Sequence, residues 1–151
     1  MYNLNELVKG GTLCLSKAGL AVGGTAQKVK VAAPNGAGVD FAINGYLYHL
    51  ADTDDVFVFT AATQAALTTC LYLACVNASG TCTLVKGTEV LTASLSAGSA
   101  YLKWPEPTAN TCPIGAVKVV ATAVFTAGTT ALGTGNTATY YDLLAVPVTA
   151  P

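Results

Sequence analysis

The stretch that most restricts what this chain can fold into is Leu71 to Lys86, LYLACVNASGTCTLVK. Two runs of strand-forming residues flank Asn77-Ala78-Ser79-Gly80, a group of turn formers ending in glycine, which is the pattern of a β-hairpin. Treating those four residues as the loop pairs Val76 with Thr81, Cys75 with Cys82, Leu73 with Leu84 and Tyr72 with Val85. Side chains alternate across a strand. Leu73, Cys75, Cys82 and Leu84 are therefore expected on one face, and Tyr72, Ala74, Thr83 and Val85 on the other. Both faces are free of charge, so the hairpin is expected in the middle of a sheet, between another layer and a neighbouring chain.

The expected register brings Cys75 and Cys82 together on one face. Cross-strand cysteines at a non-hydrogen-bonded pair lie close enough to bridge. Two readings stay open: a disulfide that forms outside the cell, or two reduced cysteines serving as small hydrophobes. With Cys14, Cys70 and Cys112 the total is five, an odd number that leaves at least one thiol free or bonded between chains. No CxxC pair occurs, so a zinc site is not expected.

Further along the chain the strand signals repeat. Lys28-Val29-Lys30-Val31 alternates as a half-exposed strand does. FAINGYLYHL at 41–50 is two apolar runs broken at Asn44-Gly45, a strong two-residue hairpin signal. VFVFT at 56–60 reads as a strand buried on both faces, and a strand is also expected around Val90 to Leu95. VKVVATAVF within Ile114 to Phe125 and the segment Thr137 to Leu144 are further strands. Between them, LKWPEP to Cys112-Pro113 holds three prolines and the only tryptophan, a long stiff loop. No convincing helix is found. The expected fold is all-β: a single-domain antiparallel β-sandwich or barrel-like fold of about eight to ten short strands. Residues 1–27, with Tyr2, Leu4 and Leu7, read as an irregular N-terminal arm lying on the body or on a neighbour, with Thr12 to Val22 between two glycine pairs as a candidate strand; residues 28–151 are expected to form the sandwich domain.

Composition narrows the function. Charged residues make up 10% of the chain and apolar residues 52%, against roughly 25% charged in ordinary soluble domains. The net charge of −1, with no basic stripe, argues against nucleic-acid binding. No run reaches the roughly 18 apolar residues of a membrane-spanning helix, and the chain is too short for a barrel in an outer membrane. Burial against partner subunits accounts for the composition better.

Catalytic patterns are poorly served. His49 is the only histidine, and it reads as a structural residue beside Tyr48. No nucleophile, base and orienter are patterned together, and Glu6, Glu89 and Glu106 make no carboxylate pair. Asp52-Thr53-Asp54-Asp55 is a fragment of a calcium loop at most, and reads better as a solvated turn whose aspartates bond their own backbone. GTGNT at 133–137 lacks the lysine of a phosphate loop. No enzyme and no cofactor are expected. Trp104, with Tyr101, is a candidate partner-binding or sugar-stacking anchor, or else packs on its own domain.

Taken together, INGYLYHLADTDDVFVFTAATQAALTTCLYLACVNASGTCTLVKGT, CPIGAVKVV and FTAGTTALGTGNTATYYDL resemble, in order from Ile43 to Leu143, small head decoration or cement proteins of tailed phages. The resemblance implies a virion subunit made in the host cytoplasm and bound to the capsid exterior. It would sit on the major capsid protein as a homotrimer, with Tyr2, Leu4, Leu7, Tyr101 and Trp104 as candidate interface residues. The five cysteines and the WPEP loop depart from that pattern. The other reading is a fibre, tail or adhesin-type module that binds a receptor or glycan through Trp104 and Tyr101.

Overall fold

A computed structural model describes residues 11–32, 37–59 and 63–143. Tyr2, Leu4 and Leu7, proposed above as interface residues, lie outside the described residues. The chain begins with β1 (Leu13–Cys14), β2 (Leu20–Val22), β3 (Lys28–Val31), β4 (Val39–Ile43), β5 (Tyr46–Leu50) and β6 (Thr53–Val58). It continues through β7 (Thr63–Gln64), β8 (Thr68–Asn77), β9 (Cys82–Lys86), β10 (Val90–Leu91), a one-turn helix α1 (Thr92–Ser96), β11 (Thr111–Ala121), β12 (Phe125–Thr126) and β13 (Asn136–Asp142). The fold is all-β and antiparallel throughout.

The strands form one large sheet and three small ones. In the large sheet β8 pairs β11 and β11 pairs β13, while β9 and β10 both pair with β8. The small sheets are β1-β4-β5, β2-β3-β6 and β7-β12. They do not close into a barrel. One face of the large sheet, with Tyr72, Ala74, Val76, Val117 and Val119, packs against Val39, Phe41 and Ile43 of β4, Val29 and Val31 of β3, and Phe57 of β6. This buried layer is the hydrophobic core, and removing it from water is the main force holding the sheets together.

Its centre is aromatic. The Phe59 and Tyr72 rings meet edge to face at 4.9 Å, and Phe59 meets Phe125 at 5.6 Å. The Tyr72 hydroxyl donates to Gln64 Oε1 at 3.2 Å, and Gln64 Nε2 donates to the carbonyls of Thr68 and Val119. Gln64 is thus fully buried with its amide satisfied, which removes the cost of burying it.

β4 and β5 form the expected hairpin. Asn44 and Gly45 both have positive φ, 51° and 82°, as a type I′ turn demands, and Ile43 faces Tyr46. The hairpin of β8 and β9 differs from expectation by one residue. Gly80 N–H donates to the Asn77 carbonyl at 3.0 Å, Asn77 N–H donates to the Thr81 carbonyl at 3.1 Å, and Gly80 has φ +80°. The loop is therefore Ala78-Ser79-Gly80, a type I turn followed by a left-handed glycine bulge, and Asn77 faces Thr81. Asn77 Oδ1 fixes it by accepting from the Ser79 and Thr81 amides at 3.0 and 2.8 Å.

A slip of one residue turns every side chain over. Cys82 pairs with Val76, Cys75 with Thr83, Ala74 with Leu84, Leu73 with Val85 and Tyr72 with Lys86. Leu84 and Cys82 join the core with Tyr72 and Val76, whereas Cys75 lies on the outer face with Leu73 and Ala116. The proposed Cys75–Cys82 disulfide is thereby overturned: the two side chains point to opposite faces, and both thiols are free.

Three other expectations need correction. Part of the supposed arm belongs to the body, because β1 pairs β4, β2 pairs β3, and Ala18 and Leu20 are buried in the core. The strand around Val90 to Leu95 ends at Leu91, and α1 follows it. The VFVF strand is buried on one face only, with Phe57 and Phe59 inside and Val58 47% exposed.

Candidate interaction surface

The WPEP loop has a structural task. The outer face of the large sheet carries Leu71, Leu73, Cys75 and Ala116, all buried. This loop of the same chain, and not the neighbouring chain expected above, crosses this face. A Cβ on Gly87, just after β9, would lie 3.0 Å from Pro105 Cγ, and the Trp104 ring meets Tyr141 of β13 edge to face at 6.4 Å. Prolines suit such a cover, since a stiff segment loses little entropy on being laid down. Trp104 thus packs on its own domain and remains 38% exposed, while Tyr101, 70% exposed, projects outward with Lys103 Nζ 5.6 Å from its ring centre.

His49 sits on β5 opposite Asp40 on β4, and its Nδ1 lies 2.8 Å from Asp40 Oδ1. Both side chains are more than half exposed. Ser16 Oγ accepts the Asp40 backbone N–H at 2.7 Å.

Asp54 and Asp55, expected in a turn that bonds its own backbone, lie in β6 and hold a distant loop in place. Asp54 Oδ1 accepts the Gly24 N–H at 2.9 Å, and Asp55 accepts the Thr25 N–H and hydroxyl. The Thr25 hydroxyl and amide hold the Asp55 carboxyl below its usual range, with Lys28 adding to the effect. Gly23 and Gly24 leave room for these carboxylates: a Cβ on Gly24 would come within 2.8 Å of Asp54 Oδ2. Asp54 and Asp55 therefore serve as loop anchors. Among the described residues no group of three or more metal-ligating side chains occurs.

Burial governs the thiols. It pushes Cys70 and Cys82 up to about 11 and Cys112 to about 12, and it raises Cys14 and Cys75 as well. Such thiols stay protonated near neutral pH and are poor nucleophiles.

What the surface does display is apolar. Eleven large hydrophobic side chains are exposed among the described residues. Leu47, 75% exposed, is the most open of them, and sequence reasoning missed it. The signal was present: the Asn44-Gly45 turn makes Leu47 face Ala42, on the side of the sheet away from Phe41 and Tyr48. Leu13 also faces Ala42, from β1, so Leu13, Ala42 and Leu47 form one row across the outer face of β1-β4-β5. Leu15, Asp40, Leu47 and His49 line a shallow open depression on this side, which Tyr48 also borders from between Leu47 and His49.

No helix among the described residues is long and apolar enough to cross a membrane. In comparisons with protein-family models, curated proteins and solved structures, nothing matches this chain.

Proposed function

We propose that this chain is a structural virion protein. In this reading it binds the outer surface of a phage head as a homotrimer and stabilises contacts between capsomers of the major capsid protein. The observation that carries the reading is the exposed row of Leu13 and Leu47 on either side of Ala42, on a chain only 10% charged. Adjacent exposed apolar side chains, unlike ones scattered singly, mark contact with other proteins. The ordered resemblance from Ile43 to Leu143 adds the kind of assembly. A cement protein needs no reactive groups. It acts by burying area at repeated contacts, on the order of 1,600 Å² each, and many copies on one shell add avidity.

The reading is tested by mixing purified protein with expanded, undecorated phage heads, followed by sedimentation and imaging. Saturable binding at a fixed number of copies per capsomer, with heads that survive harsher heating or dilution, is the expected result. The exposed Tyr101 and Trp104 favour the second reading, a receptor- or glycan-binding module. That reading predicts binding to host cells or glycans and its loss in Trp104→Ala. Heads left bare, with cells or glycans bound, would replace the first reading by the second.

A further inference from the structure

We infer that Asp54 and Asp55 form an acid-released latch holding two loops at once: the β2–β3 loop (residues 23–27) and, through it, the β12–β13 loop (residues 127–135). The latch is independent of the virion reading. Its first sign is where the carboxylates point. Neighbouring residues of a regular strand send their side chains to opposite faces. Asp54 and Asp55 nevertheless both bond the β2–β3 loop, at Gly24 and at Thr25. A bulge makes this possible. Val29 faces Phe57 and Val31 faces Thr53, so residues 54–56 share the place opposite Lys30, and Asp55 has φ +55°. Bulges re-aim side chains in this way, and aspartate takes the left-handed region more readily than most residues.

The second sign is what else fixes the loop. Gly23 N–H donates to the Lys28 carbonyl and Lys28 N–H to the Thr25 carbonyl, both at 2.9 Å. These bonds close the loop on itself and do not reach β6. Among the described residues, the hydrogen bonds from the loop to β6 end on the two carboxylates.

Third, the loop carries another. The Ala26 carbonyl accepts the Leu132 N–H at 2.8 Å. Beyond Leu132 the β12–β13 loop is tied within itself by Asn136, which accepts from Gly133 and donates to the Ala131 and Thr134 carbonyls. Val22, Leu132 and Tyr140 line one open groove, so the latch sets the shape of that groove as well.

Acid releases it because a protonated carboxyl is a weaker acceptor than a carboxylate. Lys28 of β3 faces Asp55 at 3.9 Å and Asp54 adjoins it on β6, while both loops are free of charged residues. The Thr25 hydroxyl and amide hold Asp55 below the ordinary aspartate value of 3.8. The latch is therefore whole above pH 3.8 and is lost as pH falls through the lower folded value.

The test is hydrogen exchange at single amides of the full chain, with Val119 in the large sheet as the reference. In the wild type, Thr25 and Leu132 should lose protection together as pH falls below 3.8, while Val119 keeps its own. Asp55→Gly removes the carboxylate and tolerates the positive φ; near neutral pH it should lower protection at Thr25 and Leu132 alike, by about tenfold or more. Asp55→Asn should flatten the acid step at both amides. A Leu132 amide indifferent to Asp55→Gly while Thr25 responds overturns the coupling of the loops. Thr25 protection unchanged by acid or by Asp55→Gly overturns the latch itself. Loss at Val119 in step with Thr25 also overturns it, because the carboxylate would then hold the whole fold and not two loops.

Discussion

The hairpins β4–β5 and β8–β9 look alike in sequence and differ in how firmly sequence sets their register. In the first, Asn44-Gly45 admits one short solution, a two-residue turn with positive φ at both positions. In the second, Asn77-Ala78-Ser79-Gly80 can be closed as a four-residue loop or as a three-residue loop with a bulge. The choice is made by Asn77, whose side chain gathers the Ser79 and Thr81 amides while its backbone pairs with Thr81. A glycine at the end of a loop therefore leaves the parity of the following strand undecided until its hydrogen bonds are counted. The consequence for β9 is complete, since one residue of slip exchanges its two faces.

The sharpest way to break this contrast is at the foot of the first hairpin. Gly38 has φ +79°, and a Cβ there would overlap the Leu50 carbonyl oxygen and lie 2.8 Å from the Ala51 Cα. Backbone cannot swing aside as a side chain can. Gly38→Ala should cost about 2–5 kcal/mol, since overpacking of ~1–3 adds to left-handed strain of ~1–2. Urea denaturation measures it, and a cost below ~1 kcal/mol would mean that the two strands do not approach this closely.

The second test reads the parity of β9 directly. Cys82 packs against the core, while its neighbour Thr83 is exposed. Cys82→Asp should therefore destabilise by about 2–3 kcal/mol, and Thr83→Asp by no more than about 0.5. A four-residue loop would reverse that order. Comparable midpoints for the two variants would break the assigned register.

Much of the architecture was legible because it rests on local chemistry. KVKV at 28–31 alternates in burial as it alternates in sequence, with Val29 and Val31 inside. The two-residue turn was likewise readable from residues that allow few conformations, and so was the proline-rich loop as far as Asn110, whereas Cys112 and Pro113, expected in that loop, belong to β11. What escaped depended on distant partners. Thr68–Asn77 is buried along both faces because the WPEP loop lies over one of them, and a single window of sequence cannot show the cover. Thr12 to Val22 reads as a candidate strand in an arm, but that it enters the body as two short strands shows only once β3 and β4 are there to pair with. On the surface, Tyr101 and Trp104 were readable as exposed aromatics, whereas Leu47 was hidden inside an apolar run whose facing only the turn decides.

A smaller effect sharpens the contrast from the loop side. Gly80 has φ +80°, yet a Cβ there would meet only Leu50 Cδ1, at 3.9 Å. Gly80→Ala should cost roughly 1 kcal/mol from backbone strain alone, about a third of the Gly38→Ala effect. Gly80→Asn should cost less, because asparagine tolerates the left-handed region. A Gly80→Ala cost equal to that of Gly38→Ala would show that the bulge is as crowded as the foot of the first hairpin.

The smallest expected effect is none at all, and it separates the two registers as cleanly as the largest. With Cys75 and Cys82 on opposite faces, a reductant has no bridge to cut within the hairpin, and the melting temperature should be the same with and without it. Removing a native disulfide would instead cost about 2–5 kcal/mol. Five thiols should titrate in denaturant without prior reduction, and few in the native state, where burial keeps them protonated. The same burial fixes a pH dependence. The folded pKa of Cys82 is about 11 against an ordinary value of 9.0, so above pH 9 the unfolded chain loses a proton that the fold retains. Stability is then fully present below about pH 9 and declines as pH rises toward 11, with Cys70 and Cys112 acting in the same direction. A bridged Cys82 has no proton to lose, so an alkaline decline unchanged in Cys82→Ser, together with a reductant-sensitive melting temperature, would restore the disulfide and the register that goes with it.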